Sequence, residues 1–138
     1  MQSRFHSSPR TLACVLLGAV SLGVSSVAFA DTTSKPFVGA KANTGTVTLA
    51  TKDGVRMLTL STDFVPPDTP DPHWQVVDSK GTTYLLDRLL VKPDKTLRKT
   101  ITLPKYVGDV AAVQIWCAWA EALLGEASLE GTMKTTMK

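Results

Sequence analysis

Apolar and polar residues alternate along two consecutive stretches of the chain, and this pattern predicts two β-strands. The first stretch covers residues 45–51 and the second covers 55–61, with Lys52, Asp53 and Gly54 between them. Alternation with a period of two directs successive side chains to opposite faces of a sheet. Asp-Gly is a favoured hairpin turn because both residues tolerate positive φ. The sequence therefore predicts a β-hairpin over residues 45–61.

Proline dominates residues 63–72, which hold four of the eight prolines in the chain. Because proline lacks the amide donor that a sheet ladder needs, this stretch is predicted to be an ordered loop. A short strand is predicted at 73–78. Residues 84–91 suit a strand or a short helical turn, and 96–103 suit a strand that stops at Pro104.

The last apolar segment, residues 111–127, fits two kinds of element. Val113, Ile115 and Cys117 alternate with more polar or bulky neighbours, as in a buried strand. Six alanines in the same segment favour a helix. A helix would align one weakly polar face, formed by Gln114, Ala118, Glu121 and Gly125. Periodicity alone leaves both possibilities open.

The N-terminus has the pattern of a secretory signal peptide. Arg4 and Arg10 precede an apolar or small stretch over 11–28, and Ala28 and Ala30 are small residues at the positions that signal peptidase reads. We expect cleavage after Ala30 and a secreted or periplasmic product. The glycine-broken apolar stretch is a poor spanning helix, so no membrane span is expected after cleavage.

The predicted organisation is a signal peptide over 1–30, a flexible lead-in over 31–44, one β domain over 45–130 and a frayed tail over 131–138. Removing Arg4 and Arg10 lowers the formal charge from +3 to +1. No dense basic face remains, so no nucleic-acid partner is expected.

Cys117 is the one cysteine that remains once Cys14 leaves with the signal peptide, so it cannot form an internal disulfide. A reactive thiol needs exposure and a nearby cation, helix N-terminus or metal. The strand pattern instead places Cys117 on the face of Val113 and Ile115, and no basic residue lies within ten positions of it. A buried core cysteine and a redox thiol or ligand therefore both remain open.

Metal chemistry is limited because His73 is the only histidine outside the signal peptide. One histidine and one cysteine cannot supply a blue-copper or a closed Cys/His zinc site. A haem or a two-ligand metal arrangement remains possible, with Cys117 and His73, or with either one and Met57, Met133 or Met137. The alternative for His73 is a hydrogen bond to Asp71 or Asp68.

Catalysis by a serine triad finds no support, because the serines lack a glycine-elbow context and would share one histidine. We therefore expect that the chain is not an enzyme on its own. The three tryptophans, Trp74, Trp116 and Trp119, suit either a stacking surface or core and rim packing.

Several segments, taken in order over residues 45–129, resemble the DM13 domain family, also called the electron-transfer DM13 family. They are Gly45-Thr46-Val47-Thr48, Leu58 to Phe64, Pro70-Asp71-Pro72-His73, Ile101-Thr102-Leu103-Pro104, Trp116-Cys117 and Leu124-Gly125-Glu126-Ala127-Ser128-Leu129. The resemblance implies a small all-β antiparallel sandwich or barrel-like domain, with strands through Trp116-Cys117 and through residues 123–129. It also implies an extracytoplasmic redox module in which Cys117 is the candidate thiol or prosthetic-group ligand. We predict His73 and Trp116 as further cofactor-binding residues beside Cys117.

Two functional hypotheses follow. In the first, the chain is an exported electron-transfer or thiol-redox module that acts through Cys117 on an unidentified redox partner. In the second, it is a non-catalytic binding module that meets a partner at the cell envelope, with Cys117 in its core.

Overall fold

The computed structural model describes residues 31–129, and every regular element in that range is a β-strand. The strands pair antiparallel throughout. They are β1 (Thr32–Thr33), β2 (Val47–Lys52), β3 (Val55–Leu60), β4 (Pro72–Val77), β5 (Thr83–Arg88), β6 (Leu90–Val91), β7 (Thr96–Leu97), β8 (Thr100–Thr102), β9 (Ala112–Cys117) and β10 (Ala122–Ser128). The predicted all-β class is confirmed, and within the described range the sheets stay open and form no closed barrel.

The first sheet has the order β1-β2-β3-β8 and contains the predicted hairpin. Lys52 pairs with Val55, so Asp53 and Gly54 alone form the turn. Their φ values are 51° and 76°. Positive φ at both central residues defines a type I′ turn, whose twist matches that of the flanking strands.

The second sheet has the order β10-β9-β4-β5. Cys117 pairs with Ala122, so residues 118–121 form the tip of the β9–β10 hairpin. This arrangement confirms the two strands that the family resemblance implies, and the alternative helix over 111–127 is wrong. Alanine's helix propensity is overridden because Val113, Ile115 and Cys117 are buried at alternate positions.

The chain changes sheets between β7 and β8, where the sequence predicts one continuous strand. The N–H of Arg98 donates to the carbonyl of Leu89, beside the small β6–β7 hairpin. The carbonyl of Lys99, one residue later, accepts from the N–H of Leu60 in the first sheet. The predicted strand over 96–103 is therefore divided, because its two halves hydrogen-bond to different sheets.

The hydrophobic core draws on the inner faces of both large sheets and on the segments between strands. From the first sheet come Val47, Leu58, Leu60 and Ile101; from the second come Trp74, Val76, Val113, Ile115, Cys117, Leu124 and Ala127. Two apolar faces that share one core give the sandwich-like arrangement.

Residues 34–42, within the stretch predicted to be a flexible lead-in over 31–44, pack tightly against the second sheet. Phe37 and Ala42 belong to the core. The N–H groups of Lys41 and Ala42 both donate to the carbonyl of Leu124 in β10. A Cβ on Gly125 would lie 1.9 Å from the carbonyl oxygen of Ala42, which shows how closely the two backbones approach. The small residues of this segment are explained by the close approach of its backbone to β10.

The predicted signal peptide and the predicted tail over 131–138 lie outside the described residues. Within residues 31–129 there is no helix of the length and apolarity that a membrane span requires.

Candidate functional site

Cys117 is the last residue of β9, and its thiol points into the core. Its side chain is 1% exposed and shares the inner face of the strand with Val113 and Ile115. The thiol is free. Burial in apolar surroundings is the setting of an inert structural cysteine, because the reactive thiolate needs access and a stabilising cation.

His73 lies one register position from Cys117 but faces the other side of the sheet. In the β4–β9 ladder, Pro72 is opposite Cys117 and His73 is opposite Trp116. Directly opposed residues project to the same face, whereas successive residues project to opposite faces. His73 and Trp116 therefore share the outer face, and Cys117 lies on the inner face with Pro72.

The His73 ring is engaged by the loop that precedes its strand. Its Nδ1 lies 3.0 Å from the carbonyl oxygen of Asp71, which can only accept, so Nδ1 carries the proton. The Asp71 carboxylate is 3.8 Å from the same nitrogen and also binds the guanidinium of Arg88. A hydrogen bond between His73 and Asp71, the alternative considered for this residue, is present.

These positions do not fit a metal or haem held jointly by Cys117 and His73, because a sheet separates the two side chains. Among residues 31–129, no group of three or more His, Cys, Asp and Glu side chains is arranged to hold a metal ion. Cys117 and His73 therefore cannot ligate the same metal or haem.

The three tryptophans occupy different environments. Trp74 is fully buried, Trp116 is half-buried and Trp119, in the β9–β10 turn, is 75% exposed. The indole Nε1 of Trp74 is enclosed, without a hydrogen-bond partner among the described residues. Core and rim packing thus accounts for Trp74 and Trp116, and Trp119 is the tryptophan whose ring is presented to solvent.

A row of three hydrogen-bonded side chains crosses the outer face of the second sheet. The Gln75 amide Nε2 donates to Oε1 of Gln114 at 2.6 Å, and the Gln114 Nε2 donates to Oε2 of Glu126 at 2.6 Å. The three residues are direct neighbours in the register of β4, β9 and β10. The row links the three strands side by side. It was missed from the sequence because strand pairing, and not spacing along the chain, brings it together.

A concave site, which we call the loop cleft, lies between the proline-rich loop and the β6–β7 hairpin. Its volume is about 390 Å³, within the range of small-molecule sites. Its wall is formed by Asp68, Thr69, Pro70, Pro72, Arg88, Leu90, Lys92 and Lys95. The proline-rich loop was predicted from the sequence, but its meeting with the β6–β7 hairpin was not.

The carboxylates around the loop cleft are mostly committed to other partners. Asp71 binds Arg88, and Asp87 binds Arg98. The side-chain and backbone groups of Thr96 hydrogen-bond the Asp94 carboxylate and lower its pKa. No ion pair joins Lys92 or Lys95 to a carboxylate within residues 31–129. Lys92 and Lys95 therefore line the cleft without a direct ion-pair partner, and Asp68 is the one carboxylate among the residues of its wall.

A separate polar cluster closes the β4–β5 turn at the opposite end of β4. The Asp78 carboxylate accepts hydrogen bonds from the backbone N–H groups of Lys80 and Thr82 and from the Tyr84 hydroxyl. Burial by itself raises the pKa of Asp78, but these hydrogen bonds outweigh it and hold the pKa below its ordinary value. The bond to Asp78 raises the pKa of Tyr84. This cluster stabilises the turn and lies away from the loop cleft.

Of the three predicted site residues, the structure brings His73 and Trp116 together and places Cys117 on the other face. Comparison of the chain with family models, with curated proteins and with solved structures finds no match.

Proposed function

We propose that this chain is an exported, non-catalytic binding domain of the cell envelope, in which Cys117 is a core residue. The burial of Cys117 carries the proposal, since its side chain is 1% exposed. A thiol enclosed among Val113 and Ile115 contributes apolar packing and is not exposed at the surface to a redox partner.

Two further observations support the binding role. His73, the other candidate ligand, is held by Asp71 on the far face of the sheet. The loop cleft offers a concave, partly apolar surface with unpaired cations, which is the composition of a ligand site. Neither observation requires the protein to catalyse a reaction.

The redox role implied by the DM13 resemblance is the second candidate. The Trp116-Cys117 motif supports it, together with one structural relationship. Pro72, the register partner of Cys117, lines the loop cleft. A group bound in the cleft would therefore be separated from the thiol by little more than this residue. In this alternative the domain would exchange electrons with an envelope partner near Cys117.

Thiol accessibility distinguishes the two candidates. The full chain carrying Cys14→Ser has Cys117 as its single thiol and is treated with a chromogenic disulfide reagent, first native and then in denaturant. The proposal expects one thiol per chain to react in denaturant and essentially none in the native protein over the same time. Rapid native reaction, or a visible absorbance band in the purified protein, would favour the redox candidate.

Export is tested separately. The full chain, with a C-terminal affinity tag, is expressed in a bacterium and recovered from the periplasm or medium, and its N-terminal residues are sequenced. The expected N-terminus is Asp31, which follows the predicted cleavage site. A product that stays in the cytoplasm with residues 1–30 attached would contradict the envelope location.

A further inference from the structure

We propose that the loop cleft binds a small organic anion, with Lys92 and Lys95 contacting its charged group and Pro72 and Leu90 contacting an apolar body. The inference rests on the proposed binding function, for which it names a site and a ligand class.

Charge supports an anionic ligand. Neither lysine is paired with a carboxylate: Asp71 binds the guanidinium of Arg88 and Asp87 binds that of Arg98. The Asp94 carboxylate stays charged but is oriented by the N–H of Thr96 and forms no ion pair with Lys92 or Lys95. Two ammonium groups on one wall of a concave site raise the local concentration of anions. An ammonium is a compact point charge, and it suits a carboxylate or a phosphate equally well.

The shape of the site supports a small ligand with one charged end. Pro70 and Pro72 on one side and Leu90 on the other supply apolar surface. The Asp68 carboxylate on the loop wall repels a ligand that carries negative charge along its whole length. A cleft of about 390 Å³ admits a molecule with a ring or short chain. These features favour a monosubstituted apolar body with one carboxylate or phosphate.

The walls are held in place before any ligand binds. Asp94 Oδ1 accepts from the N–H of Thr96 at 3.0 Å and fixes the turn that presents both lysines. The N–H of Leu89 donates to the carbonyl of Pro72 at 2.8 Å, which joins the hairpin side to the start of β4. Preorganised walls reduce the ordering cost that binding otherwise incurs.

Titration by NMR tests the site with defined probes. Phenyl phosphate and benzoate are added to the ¹⁵N-labelled full chain, and amide shifts are followed with benzamide as the uncharged comparison. We expect saturable shifts at residues 88–95, with a Kd on the order of 1 mM for these small probes, and no saturable shifts with benzamide. Whichever charged probe binds more tightly identifies the head group. Raising the salt concentration should weaken binding, since part of the attraction is screened.

Charge-removing variants locate the binding. Lys92→Gln combined with Lys95→Gln keeps side-chain length, and Lys80→Gln in the β4–β5 turn is the matched control. The double variant should weaken phenyl phosphate binding about 10-fold or more, the factor expected for losing two charge-assisted contacts, while the control binds like the unmodified chain. The amide spectrum of each variant verifies its fold. The salt titration uses the unmodified chain, so it tests the site even if a variant does not fold.

Three results would overturn the inference: no saturable shift with either anion, equal binding of benzamide, or binding unchanged in a folded double variant. Any of these results would leave the non-catalytic binding proposal intact, but the binding surface would then lie outside the loop cleft. Native reactivity of Cys117, in contrast, would overturn that proposal without bearing on anion binding at the cleft.

Discussion

His73 and Cys117 occupy adjacent register positions on neighbouring strands, yet their side chains leave the sheet on opposite faces. The two residues most suited to ligate a metal are thus close in the fold but cannot share a site. The pleat of the strand, with its period of two, enforces the separation. Any change that united them would need to shift β4 against β9 by one residue, which would also expose Trp74 and Val76.

Replacing the buried thiol should lower stability without creating a new functional state. Cys117→Ser places a hydroxyl where the core offers apolar neighbours, and we expect a loss of about 1–3 kcal/mol in the free energy of unfolding. Chemical denaturation followed by tryptophan fluorescence measures it. Ser79→Ala in the exposed β4–β5 turn is the control, with an expected change within about 0.5 kcal/mol. A Cys117→Ser variant as stable as the original chain would show that the site is not closely packed.

Because the N-terminal segment lies so close to β10, the loss of stability caused by a glycine-to-alanine substitution should depend strongly on which glycine is replaced. Gly125→Ala would place a Cβ 1.9 Å from the carbonyl oxygen of Ala42, and Gly39→Ala would place one 2.3 Å from Cα of Gly125. Because backbone must move in each case, we expect a loss of about 3 kcal/mol or more from each.

Gly108→Ala is the matched control, since a Cβ there meets no atom within 4 Å. Its expected effect on the free energy of unfolding is within about 0.5 kcal/mol. Thermal and urea unfolding of the three variants provides the comparison. Equal stability of all three would mean that residues 34–42 are not held against β10 in solution.

The Asp78 cluster predicts part of the acid sensitivity of the fold. The pKa of Asp78 is lower in the folded chain than its ordinary value. Its ionisation therefore adds stability above the unfolded-state pKa of about 4, and that stability is lost as the pH falls through the lower folded pKa. Asp78→Asn should lower Tm near neutral pH, and the difference from the unmodified chain should shrink toward pH about 2–3.

Asp63→Asn is the control for that titration, because Asp63 is exposed and has no partner within residues 31–129. Its Tm should follow that of the unmodified chain across the same pH range. If the effect of Asp78→Asn were the same at all pH values, the carboxylate's charge would not be what stabilises the turn.

Local patterns in the sequence predicted much of the fold. The Asp53-Gly54 turn, the proline-rich loop and the inward direction of Cys117 all follow from neighbours within a few residues. The docking of residues 34–42 did not, because Gly39 and Ala42 look like linker residues until β10 lies beside them. The division at Arg98 and Lys99 also depends on partners distant in sequence, Leu89 and Leu60.

The candidate site, too, could be predicted from the sequence only in part, because it depends on contacts between residues distant in the chain. Residue counting restricts the metal chemistry that the sequence allows, since one histidine and one cysteine cannot build a closed Cys/His site. The loop cleft escaped detection because Asp68 and Lys92 are far apart along the chain and meet only when the β6–β7 hairpin folds toward the loop. The sequence reveals the charge of each residue, but which carboxylate neutralises which cation depends on tertiary geometry.

The segment over 34–42 also blocks strand pairing between copies of the chain at β10. Its hydrogen bonds to Leu124, Glu126 and Ser128 occupy the free side of β10, a seven-residue strand at the edge of the second sheet. An uncovered edge of that length is a template on which another molecule can add a strand. By filling it, the N-terminal segment favours a self-contained domain over sheet-extended aggregates during and after folding.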